Sequence, residues 1–244
     1  MIVREESCGV KRYVHVGTGN YHTGTARLYG DLGIISCNQQ LGEDVSRLFN
    51  ELTGAITTQD YNLLLVAPHN MRERFTALIR QEADHCKAGK PAGIRAKLNQ
   101  LQDRDIIREL YLASQAGVPI ALNVRGLCGL RAGVPGLSET IRVFSILGRF
   151  LEHSRIYRFE NGGDPIFLIG SADWMKRNLD RRMETIVPIS DPEIKAELEE
   201  ILSVYERDNI FSWDMMPDGR YVRRKPVNGE EPLAAQSHFA SFTC

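Results

Sequence analysis

The chain is short of cysteine, has no long apolar run and carries almost no net charge. Each shortage excludes something. The five cysteines, Cys8, Cys37, Cys86, Cys128 and Cys244, are odd in number and widely spaced, and no C-x-x-C occurs. That pattern argues against a disulfide framework and a thiolate zinc site, and it suits a reducing compartment. No apolar stretch approaches the ~20 residues of a membrane span. The opening MIVREESCGV is too short and too charged for a signal peptide. With 30 Lys and Arg against 31 Asp and Glu, there is no global positive field, so nucleic acid is not an expected partner. Any anion site must be built from a local cluster. The expectation is a cytoplasmic protein with no transmembrane segment, peripheral membrane association being left open.

What is present is an ordinary globular composition over 244 residues, enough for one large domain or two small ones. MIVREE opens directly on a strand-like apolar pair, which raises the expectation that the chain starts inside a domain. RYVHVGTGNYH alternates and then enters a Gly-rich turn, so it predicts a strand running into a loop, and DLGIISCN predicts a second strand. EDVSRLFNELTG predicts a helix capped near Glu43 and Asp44 and stopped at Gly54. The polar TTQDY marks a linker around residues 55 to 61.

Beyond it, element types alternate. NLLLVAP and VPIALNVRG predict buried strands, AGIRAKLNQL a third, and IRVFSI, SRIYRFE and PIFLIGS three more. Between them, MRERFTALIRQEADHCKAG and DRDIIRELYLASQAG predict helices, the second capped by Asp103. DPEIKAELEEILSVYERD predicts a long helix starting at Asp191-Pro192. The order strand, helix, strand, helix, strand implies βαβ units and a mainly parallel sheet. Residues 226–244 are weakly patterned and are expected to be a loose tail.

Two segments carry candidate chemistry. His153 and Arg155 are two residues apart, so on a strand they share a face. An imidazole can exchange a proton near neutral pH, and a guanidinium fork fits phosphate oxygens. Ser171 and Asp173 follow Gly170 at the end of a later strand and are candidates to hold the histidine or a phosphate. HVGTGN offers the Thr18 hydroxyl, the Asn20 amide and loop N–H groups to an anion. It is neither a Walker A loop nor a dinucleotide fingerprint. Lys97, Arg125, Arg149 and Arg155 are spaced so that a local positive groove can form. The plainer alternatives are a polar surface hairpin and scattered surface charges.

YVHVGTGNY, TARLYGDLGI, GIRAKLNQLQD, LYLASQAGVPIALNVRG, LEHSRIYRFENGGD and GSADWMKRNLDRRMET together resemble the C-terminal part of the family-1 polyphosphate kinases. The resemblance runs over roughly residues 2 to 220. It implies an α/β phospholipase D-like fold, a mixed sheet flanked by helices. Residues 1–60 would be the C-terminal remnant of a first such domain, and residues 61–225 a nearly complete second one. It also implies reversible transfer of the ATP γ-phosphate to inorganic polyphosphate through a phosphohistidine. Mg²⁺ would be the cofactor, ATP, ADP and polyphosphate the partners, and the full-length enzyme a homo-oligomer.

By position, His153 and Arg155 match the family's second histidine segment, and Gly170, Ser171 and Asp173 its partner segment. Tyr29 and Arg125 match nucleotide- or phosphate-contacting positions, and His15, Thr18 and Asn20 match the first half's Gly-rich segment. The family's phosphorylated histidine lies upstream of the HVGTGN stretch, and the fourteen residues before His15 contain no histidine. The sequence-level expectation is therefore a supporting half-site with the nucleophile upstream of this chain, inactive alone. The rivals are a non-catalytic nucleotide- or polyphosphate-binding module and, less favoured, a phospholipase D-like hydrolase pairing two copies of His153.

Overall fold

A computed structural model describes residues 1–7, 9–55 and 60–241. In chain order the first part comprises β1 (Ile2–Glu6), β2 (Gly9–Gly17), α1 (Thr23–Ala26), β3 (Tyr29–Gly30), β4 (Gly33–Ser36) and α2 (Gln39–Leu52). The second begins with β5 (Leu65–Ala67), α3 (Met71–Lys87), β6 (Ile94–Leu98), α4 (Arg104–Gln115), β7 (Ile120–Val124) and β8 (Ile141–Ile146). It continues with β9 (Leu151–Glu152), β10 (Ile156–Phe159), β11 (Ile166–Gly170), α5 (Lys176–Arg181), β12 (Glu184–Ile189) and α6 (Pro192–Arg207). It ends with β13 (Ser212–Met215), β14 (Tyr221–Arg223) and α7 (Ala235–Ala240). Among the described residues, no helix is long and apolar enough to cross a membrane. Cys37, Cys86 and Cys128 are free thiols, while Cys8 and Cys244 lie outside the described residues.

The expected mixed α/β architecture is present: a nine-stranded sheet in the order β14-β13-β8-β7-β6-β10-β11-β12-β5. The expectation of a mainly parallel sheet is corrected. Only β6–β7 and β7–β8 pair in parallel, and the other neighbours run antiparallel. The reason is local. The link from β10 to β11 is a short turn carrying a 3₁₀ segment at Asn161–Gly163, too short for a parallel crossover.

Alternation along the strands feeds two large cores, beside a smaller third one of Phe144, Ile146, Val204, Tyr205 and Ala235. Tyr157, Phe159 and Leu168 face α3 and α4, beside Phe75, Ile79, Ile106 and Leu110. Ile156, Phe167 and Ile169 face the other way, onto Leu198 and Leu202 of α6. Val14 and Val16 of β2 and Leu41, Val45 and Leu48 of α2 join that second core, so β2 and α2 are packed onto the sheet of the rest.

Local signals set several helix ends as expected. Asp103 accepts from Ile106 N at 3.1 Å, and Asp191 accepts from Glu193 N and Ile194 N with Pro192 in the first turn. The cap of α2 differs: Asn38 accepts from Leu41 N, a turn before Glu43 and Asp44. Asp44 has another task. Wholly buried, it accepts from the backbone N–H groups of Asn62, Leu63 and Leu64 at 2.7–3.0 Å. Of the expected linker, residues 56–59 lie outside the described residues, but Tyr61 is buried and donates to Glu51 Oε2. Of the segment 226–244, expected to be loose, residues 242–244 lie outside the described residues, and the described part docks through α7, where Ala235 and Gln236 are buried. Its short length and weak pattern concealed this: Ala235, with Leu233 and Phe239 beside it, joins a small apolar cluster with Phe144, Ile146, Val204 and Tyr205, too few residues to show a stripe.

Asp44→Ala would leave three backbone donors without their carboxylate, one of them on the buried Leu64. The expected cost is about 2–3 kcal/mol, read as a lower urea midpoint at unchanged slope. An unchanged midpoint would show that this anchor contributes nothing to the joint between the two parts.

Candidate functional site

The polar cleft forms where β2's loop meets the junction between β9 and β10. β3 pairs in parallel with β9, Tyr29 opposite Leu151 and Gly30 opposite Glu152. Gly30 O then accepts from both His153 N (3.0 Å) and Ser154 N (2.9 Å). Residues 153–155 are consequently a break between two strands, not the continuous strand that SRIYRFE suggested. The shared face survives the break: the Arg155 guanidinium lies 3.2 Å from the His153 ring, from Nη1 to Nε2.

Arg155 is almost fully buried and spends its donors in three directions. Nε and Nη2 reach Asp173 at 3.3 and 3.1 Å, and Nη1 reaches Thr18 O at 2.7 Å and His153 O at 3.0 Å. Asp173 also accepts from Asn99 N at 2.7 Å. Asn99 in turn accepts from Arg125 Nε at 2.9 Å and donates to His153 O at 3.2 Å. The guanidinium thereby joins the Gly-rich loop, the histidine segment and the end of β11.

Asp31 holds the imidazole, a residue the sequence reading did not single out. Its carboxylate lies 2.9 Å from His153 Nδ1 and accepts from Thr18 Oγ1 at 2.8 Å. With Nδ1 facing the carboxylate, Nε2 is the ring nitrogen not held by Asp31, and it has the Arg155 guanidinium beside it. Burial pushes the Asp31 carboxyl up, but the His153 and Thr18 hydrogen bonds and the nearby His153 and Arg155 charges outweigh it and hold it low. Gly19 must be glycine here, since a Cβ would fall 2.0 Å from Asp31 Oδ2. Tyr29 lies against the imidazole, ring centroids 5.0 Å apart.

A cleft of about 260 Å³ opens on this cluster. Of the residues the sequence nominated, it brings together Thr18, Asn20, Arg125, His153, Arg155, Ser171 and Asp173. Thr18 is committed to Asp31, and Ser171 donates to Glu184, so neither hydroxyl is free in the way expected. Asp173 holds Arg155 and not the histidine. Lys97 is not brought into the cleft. On β6 it points to the opposite face from Ala96 and Leu98, where it pairs with Glu152 at 3.2 Å and donates to Ser154 Oγ at 2.8 Å. Burial pushes its ammonium pKa down, and Glu152 partly opposes this. Arg149 is exposed over Phe150, away from the cleft, and His15 is exposed with its Nε2 against the Tyr21 hydroxyl. The cations that join Arg125 and Arg155 are Arg177 and Arg182, which follow Asp173 around α5. Their position in the resembling stretch GSADWMKRNLDRRMET was the available signal.

Residues 64–236 match the family model described as polyphosphate kinase C-terminal domain 2, and residues 1–59 match polyphosphate kinase C-terminal domain 1. The chain belongs to the polyphosphate kinase family. Polyphosphate kinase of Synechocystis sp. is 54% identical over 241 residues, covering 99% of this chain and 33% of the relative. That of Thermosynechococcus vestitus is 56% identical over 237 residues, covering 97% and 32%. The crystal structure of polyphosphate kinase from Porphyromonas gingivalis superposes with a TM-score of 0.91 at 39% identity, over 96% of this chain and 36% of that one. The chain thus spans about a third of the length of the polyphosphate kinases it matches.

Asp31 carries a pH prediction. Its pKa is depressed in the folded chain, so its contribution to stability is present above the unfolded carboxylate value of about 3.9 and is lost as pH falls through the lower folded value. The stability gap between the chain and Asp31→Asn should be full above about pH 4 and close at more acid pH. Urea titrations from neutral to acid pH measure it, and a gap independent of pH would contradict the pairing with His153.

Proposed function

We propose that this chain is the supporting half of a polyphosphate kinase active site, which in the whole enzyme transfers the ATP γ-phosphate reversibly to inorganic polyphosphate through a phosphohistidine. The observation that carries the reading is the Asp31–His153–Arg155 cluster, oriented at the floor of a cleft rimmed by Arg125, Arg177 and Arg182. Membership of the family supports the substrate class.

Phosphoryl transfer asks for positioning and for positive charge around the equatorial oxygens. Arg155 is pinned by Asp173 and Thr18, so it presents charge without reorganising. Among the described residues, the Arg125 side chain is held through Nε alone, which leaves its terminal nitrogens for phosphate oxygens. His153, with Nδ1 on Asp31, offers Nε2 to hold or donate a proton opposite an incoming nucleophile. The nucleophilic histidine is assigned to a part of the whole enzyme that this chain does not cover.

Mg²⁺ is the cofactor expected with ATP. The cleft carboxylates are already engaged: Asp31 with His153 and Thr18, Asp173 with Arg155, and Glu184 with Ser171 and Asn178. Among the described residues, no group of three or more His, Cys, Asp or Glu could hold a metal. The residues present do not form a resident Mg²⁺ site, and none of the steps above passes through the ion. Mg²⁺ is usually held by one or two carboxylates together with substrate phosphates, so it would arrive with the nucleotide.

Alone, the chain should bind polyphosphate with an affinity that falls steeply with salt, as polyanion binding through Arg does. It should acquire no acid-labile label from γ-labelled ATP. Mixed with the remaining two thirds of the enzyme, it should restore ATP-dependent chain growth, which Arg125→Ala lowers by roughly 10²–10³-fold. Histidine-bound label on the chain by itself, or restored synthesis that survives His153→Ala, would overturn the roles assigned.

A further inference from the structure

His153 is held from two sides. On the cleft side are Asp31 and Arg155. On the other side the residues at alternating positions, 150, 152 and 154, are gripped in turn, and the grip begins in the C-terminal helix. Gln236 of α7 places its amide against the main chain of Phe150 as a neighbouring strand would. Oε1 accepts from Phe150 N at 2.9 Å, and Nε2 donates to Phe150 O at 2.7 Å. The same Nε2 donates to Glu152 Oε1 at 2.7 Å. The other oxygen of Glu152 accepts from Tyr205 OH at 2.6 Å and pairs with Lys97 Nζ, which reaches Ser154.

The arrangement is built for this side chain. Gly148 lies so close that a Cβ there would fall 2.4 Å from Gln236 Oε1. The helix that carries Gln236 is itself anchored. Asp208, wholly buried, accepts from Ala235 N at 2.8 Å with one oxygen and from the N–H groups of Ile210, Phe211 and Ser212 with the other. Phe239 packs on Tyr205 at 5.3 Å between centroids. Only an amide fits both partners of Gln236. A carboxylate would face Glu152 charge to charge and could not donate to Phe150 O, and an apolar chain would leave Phe150's half-buried N–H and C=O without this partner.

We infer that Gln236 is a positioning residue: α7 latches the 148–154 segment from behind, and the latch sets where His153 stands in the cleft. The catalytic consequence rests on the proposed kinase function, whereas the structural one does not.

The test uses Gln236→Leu and Gly148→Ala, the second driving a methyl into the amide without touching Gln236 itself. The decisive signals are contacts that Gln236 does not make: the His153 and Ser154 amides bonded to Gly30 O, and the His153 imidazole on Asp31. In this chain, amide exchange at His153 and Ser154 should accelerate roughly tenfold or more, and the imidazole NMR signals should shift, while amides of α3 and β6 keep their protection. In the full-length enzyme kcat should fall roughly tenfold or more with KM for ATP little changed, as expected for a misplaced group. If either folded variant alters only the Phe150 amide and leaves His153 as it was, the latch is refuted. If the unsubstituted full-length enzyme makes no polyphosphate, the functional reading fails, and the exchange result still decides the latch.

Discussion

A guanidinium taken almost wholly out of water must find a partner for nearly every N–H, and Arg155 finds them in three separate stretches of chain. Asp173 neutralises it from the end of β11, Thr18 O receives it from the Gly-rich loop, and His153 O receives it two residues before its own position. Five donors in a rigid plane make this possible, and a lysine in the same place could not do it. A buried pair of this kind contributes little net stability, since desolvation offsets much of the attraction, but removing one member leaves a charge stranded. Its value is positional: it fixes where the loop after β2 lies relative to the histidine segment.

From that joint the rest of the site follows outward. With Thr18 fixed, its hydroxyl donates to Asp31, and Asp31 then turns the His153 ring. With Asp173 fixed, Asn99 and through it Arg125 are set at the rim. Behind the cleft, Lys97, Glu152, Tyr205 and Gln236 form a second polar layer that supports the same strand junction from the opposite side. The side chains around His153 therefore rest on a junction clamped on both faces, the arrangement that the proposed phosphoryl transfer, dominated by positioning, would require.

Local chemistry was legible in the sequence, and long-range pairing was not. The caps at Asp103 and Asp191 announce themselves, because their partners lie two or three residues away. His153 and Arg155 could be placed on one face by spacing alone, even though the strand breaks between them. Asp31 could not be found that way, since its partner is 122 residues distant and nothing in GDLGI marks it out. Lys97 looked like a phosphate ligand because strand alternation tells which residues share a face without telling which face meets the cleft. The sheet's direction was misjudged for a related reason: the order of strands and helices does not fix which strands pair or in which sense, since β7 and β8 pair in parallel with no helix between them while β11 and β12 pair antiparallel across α5. The docking of α7 escaped because its hold combines a small apolar contact of Leu233, Ala235 and Phe239 with hydrogen bonds to Asp208 and from Gln236, too short a set to leave a periodic trace.

The central claim is that the Arg155–Asp173 pair couples the two stretches of chain that make the site. A double-mutant cycle in this chain with Arg155→Met, Asp173→Asn and their combination measures it directly by urea unfolding. Each single change strands a buried partner, so the double variant should be less destabilised than the sum of the singles by about 2 kcal/mol. Additivity to within about 0.5 kcal/mol would contradict the account.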